Sequence, residues 1–273
     1  MDDTRGTREP PDTRDRSVPG ATDADGAPGA LALRPLTARS VVLSTLLGHH
    51  PPQLPARALV RVGALFGTAE GTIRVALTRM VAAGDLEQRG GAYRLTDRLL
   101  ARQARQDDSR APRTRSWDGG WEIAVVTTDR RAAPERAALR QAMAALRLAE
   151  LREGTWLRPA NLVRPRPSVA AEQCAWLTGE PEGDPARLAA RLWNLDGWAA
   201  RARLLAAALD GAAGADGPAE RFTVAAASLR HLLTDPVLPA RLLPPDWPGA
   251  GLRHRYDAFE RDFQALLPRY AGD

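Results

Sequence analysis

The chain contains no lysine; all 38 of its basic side chains are arginine. That absence excludes a Walker-type Gly-Lys-Ser/Thr phosphate loop, a pyridoxal Schiff base and a lysine general base. Cysteine is almost as scarce. Cys174 stands alone, so no internal disulfide can form; this suits a reducing cytoplasm, and the residue reads as a small buried hydrophobe. The four histidines, His49, His50, His231 and His254, show no metal-ligand spacing with that cysteine. No G-x-S-x-G nucleophile elbow occurs. Long apolar runs are missing too, both near the start and at the length of about 18 residues that a membrane helix requires, so the chain is expected to be neither exported nor membrane-spanning. These absences leave no pattern for an enzyme, a resident metal or a cofactor.

Charge is plentiful but unevenly placed. Residues 1–30 hold 4 arginines and 7 acids, residues 31–116 hold 14 arginines and 6 acids, and residues 117–273 hold 20 of each. The basic excess of the chain therefore sits in one segment, as expected of a surface that meets a phosphate backbone. Residues 1–33, rich in Asp, Arg, Pro, Gly and Thr, lack apolar surface to bury and are expected to be disordered.

Within the basic segment, Leu54 to Thr96 reads as helix, tight turn, helix and hairpin. Thr37 is placed to cap an earlier helix bearing Val41, Val42, Leu46 and Leu47. The stretch PARALVRVGALF puts Pro55 at a first helical position and Leu59, Val62 and Phe66 on one face. Gly67 can leave that helix left-handed, and Thr68 can cap the next. The second helix, about Glu70 to Ala83, buries Ile73, Ala76, Leu77 and Met80, and Gly84 stops it. In DLEQRGGAYRLT, Gly90-Gly91 fits a two-residue hairpin turn. Counting outward pairs Arg89 with Ala92, Gln88 with Tyr93, Glu87 with Arg94 and Leu86 with Leu95, which turns Leu86, Tyr93 and Leu95 inward. The order is that of a winged helix-turn-helix, expected over residues 34–96.

Residues 97–116 then read as a polar helix and a basic arm, either a linker or a second DNA-facing element. From Trp117 the pattern changes to strand (WEIAVVTT), helix (PERAALRQAMAALRLAEL) and strand (GTWLRPANLV), with QCAWLTGE as a further strand. That suggests a small ferredoxin-like α+β layer over residues 117–184. Residues 185–273 read as helical, with the last helix near Tyr256 to Leu267. The expected fold class is thus α+β and multidomain.

Three stretches in order carry a family likeness. LTARSVVLSTLLG with LPARALVRVGALFGTAEGTIRVALTRMVAAGDLEQRGGAYRLT resembles the phenylacetic-acid-degradation repressors, the PaaX family. RTRSWDGGWEIAVV and RLAELREGTWLRPANL resemble its central domain, and DPVLPARLLPPDWPGAGLRHRY its C-terminal signature. The resemblance spans about residues 36 to 270. It implies a winged helix-turn-helix, a Cas2-like central domain and a helical C-terminal domain. It further implies a homodimeric repressor bound to double-stranded operator DNA and released by phenylacetyl-coenzyme A.

On the second helix of the winged unit, Thr72, Arg74, Thr78 and Arg79 are the candidates for contacts to bases and phosphates. Arginine can fork onto guanine, and threonine can offer a hydroxyl or a methyl. Arg89 at the hairpin tip is expected to meet phosphate or the minor groove; Arg94 is a weaker candidate because Glu87 can occupy it. A coenzyme A thioester needs cations for its phosphates and an apolar slot. Trp156 with Arg158, two apart on a strand, and Trp193 with Trp198 at a helix junction are the candidates, against the plainer reading of tryptophan as core. One alternative from another class is a metal-dependent nuclease on the Cas2-like domain. Asp129 ends a strand where the resemblance to Cas2-type nucleases implies a metal-binding aspartate, but it has no visible partner carboxylates and reads as a turn residue.

Overall fold

The computed structural model describes residues 31, 33, 36–212 and 218–271, with the side chains of 218 and 267–271 excepted. The chain divides into two units, residues 1–32 and 33–273, and every element lies in the second. The expected tail over residues 1–33 falls almost wholly outside the described residues.

The first group of elements comprises α1 (Ala38–Gly48), β1 (Gln53–Pro55), α2 (Ala56–Leu65), α3 (Glu70–Ala82), β2 (Leu86–Arg89), β3 (Ala92–Leu95) and α4 (Asp97–Arg110). Thr37 caps α1 as expected, its Oγ1 accepting from the Ser40 N–H at 3.2 Å. The β2–β3 register is the one counted from the Gly-Gly turn, Leu86 opposite Leu95 and Glu87 opposite Arg94. Both glycines are left-handed, with φ of +56° and +77°, which is what a type I′ turn demands. Leu46, Leu59, Ile73, Leu77, Met80, Leu86, Leu95 and Leu99 close a shared core, and each buried aliphatic side chain contributes about 1.5–3 kcal/mol.

Two local expectations fail here. Pro55 is not the first helical residue. It ends β1, which pairs antiparallel with β3 through Leu54 opposite Tyr93, and it serves as the N-cap of α2. Its missing N–H costs nothing at that strand end. Thr68 does not cap α3 either; Ala69 holds that position without a side-chain bond, while the Thr68 N–H donates to the Gly63 carbonyl at 3.1 Å.

The second group is β4 (Trp121–Val126), α5 (Ala133–Ala145), β5 (Ala149–Arg152), β6 (Thr155–Pro159), α6 (Ser168–Gln173) and β7 (Cys174–Gly179). Its four strands lie in the order β5-β6-β4-β7 with every neighbour antiparallel, the split βαβ arrangement of ferredoxin-like layers. The helix expected to run through LRLAEL stops at Ala145. Arg147 turns left-handed at φ +58° and the chain returns as β5. The apolar spacing there suits a helix as well as a strand, and pairing with β6 decides between them. The basic arm is not free: Arg115 N–H donates to the Asn161 carbonyl at 2.8 Å and Val163 N–H to the Arg113 carbonyl at 2.9 Å, which lays the arm along residues 160–163.

Helices α7 (Pro185–Leu192), α8 (Leu195–Ala212), α9 (Pro218–Leu232) and α10 (Gly249–Ala271) complete the chain. α7 starts on Asp184, whose carboxylate accepts from the Ala186 N–H at 2.9 Å. α10 begins seven residues earlier than its apolar pattern suggested, the Leu252 N–H donating to the Pro248 carbonyl at 2.9 Å. One face of the central sheet packs on α5 through Ala124, Met143 and Trp156. The other face meets Ala189, Leu195, Leu238 and Leu242, so a shared core crosses the break expected at residue 185. α10 also reaches the first group. Arg253 donates to the Ser109 carbonyl at 2.9 Å, Asp257 accepts from Arg110 at 3.0 Å, Glu260 also pairs with Arg110, and Gln264 bonds His49 at 3.0 Å. Among the described residues no helix is long and apolar enough to cross a membrane.

Candidate nucleic-acid interface

α3 is two-faced. Ile73, Leu77 and Met80 are buried, while Thr72, Arg74, Val75, Thr78 and Arg79 face solvent. Two glycines set its position. Gly67, at φ +64°, makes the turn out of α2. Gly63 lets α2 and α3 cross closely, since a Cβ there would lie 2.5 Å from Ile73 Cγ1.

The exposed cations differ in what holds them. Arg74 Nε lies 2.7 Å from Glu70 Oε1, with both side chains 59% exposed. Such a pair is worth only about 0.3–0.5 kcal/mol and yields readily to a competing anion. Arg79 makes no hydrogen bond or ion pair among the described residues. Thr78 Oγ1 donates to the Arg74 carbonyl at 3.1 Å, leaving its lone pairs and methyl for a ligand. Val75, half exposed in the middle of this face, was not among the expected contact residues. It is an apolar side chain off the Ile73–Leu77 stripe, and that mismatch was its signal.

On the hairpin, the Arg89 side chain is 73% exposed and 3.9 Å from Glu87. Arg94 is committed instead, donating twice to Glu87 Oε2 at 2.5 and 3.0 Å. The Arg94 guanidinium holds the Glu87 carboxyl below its ordinary range. Behind the hairpin, Asp85 is buried and takes Arg39 from α1 at 2.6 Å and Arg98 from α4. This carboxylate fixes both helices to the end of α3. Sequence reading missed it, counting Asp85 only as one acid among six.

The effector candidates do not come together. Trp156 and Arg158 share a strand face as expected, but that face is closed. Trp156 lies in the α5 layer. Arg158 is 0% exposed and donates to the carbonyls of Pro159, Arg147, Pro236 and Val237 and to Asn161 Oδ1, at 2.9–3.3 Å. Burial, followed by repulsion from Arg164, pushes its guanidinium down to about 9, still protonated at neutrality. It therefore pins residues 236–237 to β6 and has no donor left for a ligand. Trp193 stacks on Trp121 at 6.4 Å, whereas Trp198 is held between His231 at 4.5 Å and Trp247 at 4.6 Å. Asp129 is exposed beyond β4, and among the described residues no three His, Cys, Asp or Glu side chains gather as a metal site.

Family comparisons match three stretches of the chain. The PaaX-like protein family matches residues 37–99, the PaaX protein central Cas2-like domain residues 114–173, and the PaaX-like protein C-terminal domain residues 193–271. Among solved structures, an uncharacterized protein, Rv0674, from Mycobacterium tuberculosis is similar at 50% identity and a TM-score of 0.72, over 86% of this chain and 98% of that one. Among curated proteins none matches.

Proposed function

The chain belongs to the PaaX family of transcriptional regulators, and from that premise we propose that it is a sequence-specific DNA-binding repressor. In this reading residues 34–96 form a winged helix-turn-helix, with α3 as the recognition helix and β2–β3 as the wing. Residues 97–116 link it to a ferredoxin-like domain at 117–184 and a helical domain at 185–273. The observation that carries the reading is the exposed face of α3. Arg74 is loosely held and Arg79 unheld, in a segment with 14 arginines against 6 acids.

Arg74 and Arg79 read guanine edges or grip phosphates, Thr72 and Thr78 add hydroxyl and methyl contacts, and Arg89 reaches the flanking backbone. Arg94 serves the wing. The protein acts in the cytoplasm as a homodimer on a partly palindromic operator, where half-sites about one helical turn apart match two recognition helices. An aryl-coenzyme A thioester such as phenylacetyl-coenzyme A relieves repression.

A shift assay on the DNA upstream of its own coding sequence tests this. The double variant Arg74→Ala/Arg79→Ala is expected to lose on the order of 100-fold in affinity, since each good arginine–base contact contributes about 1–3 kcal/mol, while its thermal unfolding stays unchanged. Undiminished affinity in that variant would overturn the assignment of α3.

A further inference from the structure

We propose that the cavity between α4, the end of α5 and residues 162–167 binds an amphipathic anion, an apolar acyl or aryl group tethered to phosphates. The cavity measures about 330 Å³, within the range of roughly 300–1,000 Å³ usual for small-molecule sites. The buried Leu146 and the partly buried Leu162, Leu233 and Pro112 line it, with the exposed Ala145 and Val163 at its mouth. That surface suits a phenyl ring or a short acyl chain and leaves a polar tail outside.

The charge around it is mostly positive. Arg105, Arg113, Arg147 and Arg164 line the same cavity, against the single carboxylate of Asp108. The inner pair is already placed: Arg164 donates to the Leu146 carbonyl at 2.7 Å and to Glu122 at 2.6 Å, and Arg147 donates to the Asp235 carbonyl. Burial pushes the Arg147 guanidinium down to about 10, so it remains a cation at neutral pH. The outer pair is different. Arg105 and Arg113 are exposed and make no side-chain hydrogen bond or ion pair among the described residues. Two uncommitted guanidinium forks at the mouth of an apolar slot match phosphate oxygens beyond the slot. Two hollows of about 640 Å³, one beside Trp121 and Arg187 and one on the outer face of α3, are larger and more open to solvent, whereas the cavity beside Ser44, Phe222 and Glu260 holds about 50 Å³, room for little more than water.

Position gives the site a consequence. One wall is the tail of α4 with the arm behind it, and α4 begins at the Arg98–Asp85 contact that anchors the end of α3. A ligand that shifts the tail of α4 moves a rigid rod about 20 Å long whose other end holds the recognition helix. The choice of ligand and that coupling rest on the regulator reading; the cavity's lining and its idle arginines do not.

Calorimetry on the full chain tests the proposal with phenylacetyl-coenzyme A, free coenzyme A and phenylacetate as probes. The thioester is expected to bind at least ten-fold more tightly than either fragment. Arg105→Ala/Arg113→Ala, which removes only uncommitted side chains, should weaken it at least ten-fold. Ala145→Trp, which fills the mouth from an exposed helix position, should do the same while retaining operator binding without ligand. The proposal fails if none of the three probes binds the wild type, if phenylacetate matches the thioester, or if both variants bind as the wild type does. Should the wild type fail to shift DNA while the variants still lose the thioester, the site stands and the regulator reading falls.

Discussion

The arginines near α3 and those beneath the central sheet are chemically identical and physically opposite. Arg74, Arg79 and Arg89 stand in water with loose partners or none, whereas Arg158 spends its donors on four carbonyls and an amide oxygen. The first set can change partners at almost no cost, and the second cannot move without exposing buried carbonyls. Net charge alone would not separate them, because a guanidinium is available to a ligand only where the fold has left its donors idle.

The largest effect expected from this contrast is on stability. Arg158→Ala leaves the carbonyls of Pro236 and Val237 without donors and opens a void. It is expected to cost about 3–5 kcal/mol in urea unfolding. A cost under about 1 kcal/mol would mean that Arg158 is not the pin it resembles.

A smaller effect is expected with pH where α10 meets Arg110. Burial holds the Glu260 carboxyl up at about 7, against the pull of Arg110 and with help from Asp257 and Asp107. Its folded value lies above the ordinary 4.5, so the unfolded chain ionises first. The stability it confers is complete below about pH 4.5 and is lost as pH rises through about 7. Glu260→Gln should flatten the fall in thermal midpoint between pH 5 and 8, equivalent to about 1–3 kcal/mol. An unchanged slope would locate the titration elsewhere.

The smallest effect belongs to the β2–β3 hairpin. Arg94→Ala removes a pair that lies in water and should change operator affinity by less than about two-fold, with its stability contribution fading as pH falls through the lowered Glu87 value. A ten-fold loss would move Arg94 into the contact surface with Arg74 and Arg79.

Legibility in the sequence followed the range of the interactions. The hairpin register could be read because Gly90-Gly91 fixes a turn and alternation does the rest, all within ten residues. α3's outward face could be read from its 3.6-residue period. β1 and β5 could not. One is three residues ending in a proline, and the other continues a helical spacing until the Arg147 reversal breaks it. Trp156 and Arg158 were rightly placed on a common face. What closes that face around Arg158 is supplied by residues 78 and 79 positions later, which no local pattern reveals. The cavity at Arg105 and Arg113 was hidden for the same reason, since its walls come from four separate stretches, around residues 105–113, 144–147, 162–167 and 233.

Positions 253, 257, 260 and 264 of α10 step along one side of that helix and meet Ser109, Arg110 and His49 in turn. They work as the bitting of a key. Sliding α10 by a single residue would advance it about 1.5 Å and rotate it about 100°, and every tooth would miss its notch together. The orientation of the first seven elements against the rest is therefore quantised: this seating is held as a whole or given up as a whole.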